Sequence, residues 1–279
     1  MRFVKMHGLG NDYVFVDAIG GGVSPLEEPG LAGWSDERLQ RLAVAVADRH
    51  RGIGGDGLIL MLRGQSEPFR MRIFNADGSE GEMCGNGIRC VAKYLFDEGY
   101  TRERSLAIET RAGLIRTEVG EGDRRSRQVR VDMGPPRSIE EARELEAAGR
   151  RWRYRSVSMG NPHAVIFVDD PEAVDVARVG PQIEHHPAFP GRTNVEFVRV
   201  DSPERLTMRV WERGSGVTLA CGTGACASAV AAAHEGRTGR RVAVDLPGGR
   251  LAVEWAADGR VWMTGPAEEV FRGEYPIPF

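Results

Sequence analysis

The sequence predicts a mixed α/β (α+β) fold built from two duplicated, pseudo-symmetric lobes, each a mainly antiparallel sheet wrapped around one central helix. Three observations predict it. First, sliding the 279-residue chain against itself by 137 positions lays RIFNADGSEGEMCGNG (72–87) on RVWERGSGVTLACGTG (209–224) without a gap. Flanking blocks repeat in the same order, GNDYVFVD (10–17) with GNPHAVIFVD (160–169) and AGLIRTEV (112–119) with GGRLAVEW (248–255). Second, short alternating or β-branched runs outnumber helical patterns and follow one another closely, which argues against a βαβ alternation. Third, each copy carries Cys-Gly-x-Gly running into a helix-like segment.

Taken in order, YVFVD (13–17) reads as a strand, and the Pro/Gly-containing stretch 18–34 as a surface loop. SDERLQRLAVAVADRH (35–50) reads as an amphipathic helix with Ser35 as N-cap and acids in its first turn. LILML (58–62) and MRIFN (71–75) are strands, followed by the helix GIRCVAKYLFDEG (87–99) and the strand LIRTEV (114–119). GEGDRRSR (120–127) has loop composition where the first copy ends. The lobes are therefore set at 1–126 and 127–266, with 267–279 as a segment able to return to the first. In the second copy, QVRVDM, AVIFVD, NVEFVRV, TMRVWE, AVDL and RVWMTG read as strands, and IEEARELEAAG (139–149) as an added surface helix. GACASAVAAAHEG (224–236) is small and apolar nearly all round, the pattern of a buried helix.

Composition excludes several classes. A net charge of −3 and a pI of about 6.1 give no basic footprint for nucleic acid. No apolar run is long enough to span a bilayer, and MRFVKMHGLGNDYVFVD lacks the apolar region of a secretory leader, so a cytoplasmic protein is expected. Its four cysteines, Cys84, Cys90, Cys221 and Cys226, are expected as thiols, at spacings that do not suit zinc. No metal is expected. The chain has only two lysines, Lys5 and Lys93, which leaves little choice for the Schiff-base lysine that pyridoxal phosphate requires.

A helix start presents unpaired N–H groups and a partial positive charge. A cysteine there has its thiolate favoured, and glycines let a carboxylate approach the same N–H groups. Two such helix starts facing one another across an interlobe cleft place a carbon between two sulfurs. One thiolate can remove a proton, the opposite thiol can return one, and the helix ends stabilise the developing enolate-like charge. Cys84 and Cys221 are thus the candidate proton-transfer groups. Cys90 and Cys226, a turn or more inside their helices, are read as inert core residues.

At these residues the chain resembles the diaminopimelate epimerase family. The likeness is carried by KMHGLGNDYVFVD (5–17), DRHRGIGGDG (48–57), RIFNADGSE (72–80), MCGNGIRC (83–90), GNPHAV (160–165), RTNVEF (192–197), WERGSG (211–216) and ACGTGACA (220–227), in the family's order. The resemblance implies a homodimer of cofactor-independent epimerase, without metal or pyridoxal phosphate, that interconverts LL- and meso-diaminopimelate for lysine and peptidoglycan precursors. It implies Cys84 as donor and Cys221 as acceptor in the LL-to-meso direction. It implies Gly85, Asn86, Gly222 and Thr223 around the reacting carboxylate, and Asn11, Asn75, Asn161, Asn194, Glu212 and Arg213 on the rest of the substrate. His163 and Glu212 stand where the family has groups that tune the cysteines. The residue types suit a diamino diacid, since a guanidinium forks onto carboxylate and an acid holds ammonium.

One departure is Gly57, where some family members carry glutamine; that side-chain contact is excluded here. Two rival readings remain at this stage. A proline or hydroxyproline racemase would share the two thiols, but typically carries histidine where this chain has Asn86, and lacks the set for a distal amino-acid head. A non-catalytic amino-acid binder would need a cleft but no thiols.

Overall fold

The computed structural model describes residues 1–279 and divides into two compact units, one comprising Met1–Val131 and Gly265–Phe279, the other Asp132–Thr264. The first contains β1 (Arg2–Gly8), β2 (Asn11–Asp17), α1 (Asp36–Ala47), β3 (Gly57–Arg63), β4 (Phe69–Asn75), β5 (Glu80–Gly81), α2 (Gly85–Asp97), β6 (Ser105–Thr110), β7 (Gly113–Gly122) and β8 (Ser126–Asp132, whose last residue falls in the second unit). The second contains β9 (Ser138–Ile139), β10 (Arg143–Ala147), β11 (Arg150–Ser158), β12 (Pro162–Phe167), α3 (Val176–Glu184), β13 (Asn194–Ser202), β14 (Arg205–Glu212), β15 (Gly216–Val217), α4 (Gly222–His234), β16 (Arg241–Leu246) and β17 (Gly249–Trp255). The last strand, β18 (Val261–Glu274), gives residues to both: Val261–Thr264 pair with β17, and Glu268–Glu274 with β1.

The duplication is visible in strand pairing. In the first unit β1–β2 is antiparallel, β2–β3 parallel, β3–β4 antiparallel, β4–β6 parallel and β6–β7 antiparallel. In the second, β11–β12, β12–β13, β13–β14, β14–β16 and β16–β17 follow the same sequence of directions.

Each sheet is covered on both faces, which is why its central strands read as apolar runs rather than clean alternations. Val14, Val16, Leu58 and Leu60 meet Leu39, Leu42 and Val46 of α1. In the second unit Ala164, Ile166, Val195 and Phe197 meet Val176, Val179 and Ile183 of α3. The opposite faces carry α2 and α4. Helix α4 touches β11, β12, β13, β14, β16 and β17, and its residues from Gly224 to Ala232 are all buried. Gly and Ala at these positions let six strands approach one helix. Both helices end in a left-handed glycine, Gly99 (φ 83°) and Gly236 (φ 69°), whose amides return to Phe96 and Ala233.

Three local expectations are corrected. Residues 139–149 are not a helix: β10 forms a hairpin with β11, turning at Ala148 (φ 52°) and Gly149 (φ 73°). The Glu/Arg/Ala composition favours helix, but alternate burial of Leu145 and Ala147, close to Trp152, supplies the period of two that decides for strand. The stretch 18–34 is not simply a surface loop. Ser24, Glu27 and Leu31 are buried, Pro29–Gly33 forms a 3-10 turn, and Tyr100 binds both Asp17 and Glu27 at 2.7 Å. Of 120–127, only 123–125 is a turn; the rest belongs to β7 and β8. Gly57 has a steric cause, since a Cβ there would lie 2.0 Å from the Phe74 carbonyl oxygen across the β3–β4 ladder.

Candidate active site

The two cysteines occupy the same place in their units. Cys84 is the N-cap of α2 and Cys221 the N-cap of α4, both with extended backbone, each sulfur accepting from the amide three residues on (Gly87 and Gly224) at 3.4 Å. Gly85 and Gly222 are the first helical residues. Close approach explains the next glycines. A Cβ on Gly87 would meet Ile59 at 2.5 Å, and one on Gly224 would meet Glu196 Oε1 at 2.7 Å and Cys221 Sγ at 3.2 Å.

In the first unit, Asn11 organises the site. Its Oδ1 accepts from the Cys84 thiol at 3.3 Å and from Asn86 Nδ2 at 3.1 Å, while its Nδ2 donates to Asp56 at 2.7 Å. Asp56 is anchored by the Asp12 amide (3.0 Å) and by Arg49 (3.0 Å). Asn86 in turn accepts from Arg89, a fully buried guanidinium, at 2.9 Å. Tyr13 lies two residues along β2 from Asn11, and its hydroxyl is within hydrogen-bonding reach of Asn11 and Cys84; burial, then the neighbouring Cys84, pushes its pKa well up. Asn75 stands apart from this group. It is exposed at the end of β4, and its Nδ2 binds Ser79 at 2.9 Å within its own turn.

In the second unit, Asn161 Nδ2 donates to Thr223 Oγ1 at 3.2 Å, and Thr223 Oγ1 lies 3.6 Å from Cys221 Sγ. His163 links Asn161 Oδ1 through Nε2 (3.0 Å) to Glu196 Oε1 through Nδ1 (2.7 Å). Burial, then Glu212 and Glu196, pushes the Cys221 thiol well up, against the opposing pull of the Thr223 and Gly224 donors. Burial also raises Glu212, whose carboxylate accepts from Thr218. Asn194 is buried, taking the Arg213 amide at 2.9 Å and giving its Nδ2 to the Pro162 carbonyl at 2.8 Å. The Arg213 side chain is exposed and bonds the Gly191 carbonyl at 3.2 Å, leaving guanidinium edges for an anion.

A cysteine capping a helix, half-buried at Cys84 and buried at Cys221, with an asparagine and a Gly-x-Gly turn around it, thus occurs twice in one chain. A family model described as diaminopimelate epimerase matches residues 3–139 and 155–270. The chain belongs to the diaminopimelate epimerase family. Relatives named diaminopimelate epimerase include one from Pelotomaculum thermopropionicum, 51% identical over 289 residues and covering 99% of both chains. Another, from Desulfitobacterium hafniense, is 50% identical over 285 residues, covering 98% of this chain and 97% of the relative. Among solved structures, a Bacillus anthracis phenazine biosynthesis protein of the PhzF family matches with TM-score 0.74 at 17% identity over 99% of each chain. A probable proline racemase from Agrobacterium radiobacter matches with TM-score 0.67 at 17% identity, over 99% of this chain and 93% of that one. These two share the fold.

Within this diaminopimelate epimerase family member, three residues of the half-sites were not singled out from sequence: Tyr13, Asp56 and Glu196. Glu196 had a signal. It is an acid in the apolar run NVEFVRV, two residues from Asn194 and so on the same inward face of its strand. Asp56 had none, because a Gly-Gly-Asp-Gly stretch reads as a turn. Cys90 and Cys226 are fully buried, and burial raises Cys90 to about 12, which leaves it a thiol at neutral pH.

Proposed function

We propose that the protein is a diaminopimelate epimerase, interconverting the LL and meso isomers of 2,6-diaminopimelate by proton removal and return at one α-carbon. The observation that carries this reading is the duplicated N-cap cysteine, Cys84 and Cys221, each beside an asparagine and an open turn of helix amides. In the LL-to-meso direction Cys221, as thiolate, takes the α-proton, and the electron pair left on carbon delocalises into the adjoining carboxylate. Cys84, as thiol, then gives its proton to the other face of the same carbon. Configuration inverts, Cys221 ends as thiol and Cys84 as thiolate, and the reverse reaction exchanges the roles.

The chemistry needs both sulfurs on opposite faces of that carbon. Amides at Gly85, Asn86, Gly222 and Thr223 stabilise the charge gathering on the reacting carboxylate. Asn11, Asn75, Asn161 and Asn194 offer donors and acceptors to the rest of the molecule, Glu212 receives an ammonium, and Arg213 grips the distal carboxylate. His163 and Glu212 tune the proton affinity of the Cys221 half-site. No step calls for a cofactor or metal. The protein is read as a cytoplasmic homodimer; no helix is long and apolar enough to cross a membrane.

Proton NMR in deuterated water tests the reading. LL-Diaminopimelate should lose its α-proton signal and yield the meso isomer with wild type, and with neither Cys84→Ala nor Cys221→Ala. Exchange on L-proline but not on diaminopimelate would move the substrate to a racemase; exchange on neither would reject the mechanism.

A further inference from the structure

The duplicate asparagines are held the opposite way round. In the first unit the anchor is Asp56, whose carboxylate only accepts, so Asn11 must turn Nδ2 to it and Oδ1 toward Cys84. Every partner of that oxygen is a donor, and the arrangement suits Cys84 carrying its proton. In the second unit Asn161 turns Oδ1 to His163 and Nδ2 to Thr223. A Thr223 oxygen that accepts from Asn161 keeps its own hydrogen for Cys221 Sγ, 3.6 Å away. All donors in this chain point toward Cys221, where they oppose the rise that burial, Glu212 and Glu196 impose on its thiol.

The orientation of Asn161 depends on His163 Nε2 carrying a proton. Nδ1 faces Glu196 at 2.7 Å, and both side chains are fully buried. Because the Asn161 oxygen faces Nε2, that nitrogen donates, and the Nδ1 contact is then either an imidazolium donating to the Glu196 carboxylate or a Glu196 carboxylic acid donating to a neutral ring. A neutral ring with its one proton on Nδ1 would also satisfy Glu196, but Nε2 would then accept, which the Asn161 oxygen does not match. Without Glu196 nothing opposite Nδ1 holds the second proton of the pair, and the protonated Nε2 loses its support.

Glu196 is not explained by the fold. Its Oε2 is buried without a hydrogen-bond partner, a costly arrangement. The strand registers show what the fold accepts in its place: Val14 pairs with Leu58 and then Phe15 with Ile59, as Ala164 pairs with Val195 and then Val165 with Glu196. Ile59 faces Gly87 as Glu196 faces Gly224. The first unit thus builds the same contact with a hydrocarbon.

We propose that Glu196 is a positioning residue for the Cys221 half-site, holding His163 so that the donor chain His163–Asn161–Thr223 ends on the sulfur, while Asp56 holds Asn11 in the opposite sense at Cys84. Its catalytic consequence rests on the function proposed above; its structural content does not.

The test compares Glu196→Ile, the residue of the duplicate position, with Glu196→Gln, whose amide can still donate to Nδ1. Side-chain nitrogen NMR of 15N-histidine-labelled protein reads His163 directly. Wild type and Glu196→Gln should show a protonated Nε2, and Glu196→Ile should lose that state. With diaminopimelate, Glu196→Ile should lower kcat by on the order of 10²-fold, as small misplacements of reacting groups do, with KM changed little. Glu196→Gln should recover most of the rate. An unprotonated Nε2 in wild type, an unchanged kcat in Glu196→Ile, or equal losses in both variants would overturn the proposal. Were wild type inert toward diaminopimelate, the proposed function would fall, and the nitrogen spectra would still decide the role of Glu196. Should Glu196→Ile not fold, the spectra of wild type and Glu196→Gln decide it.

Discussion

Asn11 receives the Cys84 thiol at 3.3 Å on the same oxygen that takes the Asn86 amide, and it cannot turn away because its own amide is tied to Asp56 at 2.7 Å. One side chain thereby sets both the sulfur and the first turn of α2. Replacing Asp56 with Ala removes that tie and leaves Asn11 free to rotate. The expected outcome is a loss in kcat of on the order of 10-fold or more, since orientation rather than a direct contact is lost. Steady-state epimerisation beside an unchanged circular dichroism spectrum checks it.

Gly224 has no room for a methyl group, with Glu196 Oε1 at 2.7 Å and Cys221 Sγ at 3.2 Å from where a Cβ would stand. Gly224→Ala should destabilise the protein by about 1–3 kcal/mol, the usual cost of overfilling a tight site, and should suppress turnover by displacing the sulfur. Urea unfolding gives the first quantity and deuterium wash-in the second. A variant with wild-type stability and rate would show that the helix start relaxes freely.

Glu212 raises the Cys221 thiol as a like charge, after burial itself and ahead of Glu196. Glu212→Gln removes that repulsion, so Cys221 should ionise at lower pH. The thiol-linked rising limb of the pH–rate profile should move down in pH, a macroscopic shift of the coupled pair rather than of one sulfur. KM for diaminopimelate should rise as the ammonium partner is lost. A limb that stays in place or moves up would contradict the electrostatic assignment.

Cys90 offers a stability test away from the chemistry. Burial raises its thiol from 9.0 to about 12. A group raised in the folded state stabilises the protein below its unfolded pKa, and that contribution is lost as pH climbs through the folded value. Stability should therefore fall between about pH 9 and pH 12, by at most about 4 kcal/mol from this residue. Cys90→Ala should cost some stability at neutral pH through the lost sulfur, yet show a shallower alkaline decline. Urea midpoints across that range measure both.

Arg213 is exposed, with its side chain bonded to the Gly191 carbonyl, and its backbone amide is fixed by Asn194. Arg213→Met should raise KM by on the order of 10-fold or more with a smaller change in kcat, the mark of binding lost equally in ground and transition states.

By itself the sequence determined the duplication, the helix after each Cys-Gly-x-Gly, most central strands and the two cysteines. These are local or periodic signals: a repeat at fixed offset, apolar runs, and glycines where a helix start must stay open. It misread 139–149, because helix propensity there is weaker than the hairpin partner that β11 supplies across the turn. It missed α3, a nine-residue helix containing Pro181, whose face is defined only by the strands it covers. Tyr13 and Asp56 also lay beyond it, and Glu196, though marked as an acid in an apolar run, was passed over, because each matters through a partner distant in the chain. Asp56 is 45 residues from Asn11, and Glu196 is 33 residues from His163. The pattern of residues named the two sulfurs. Which way each neighbouring asparagine turns was decided by the fold alone, since that depends on whether a carboxylate or an imidazole closes its other side.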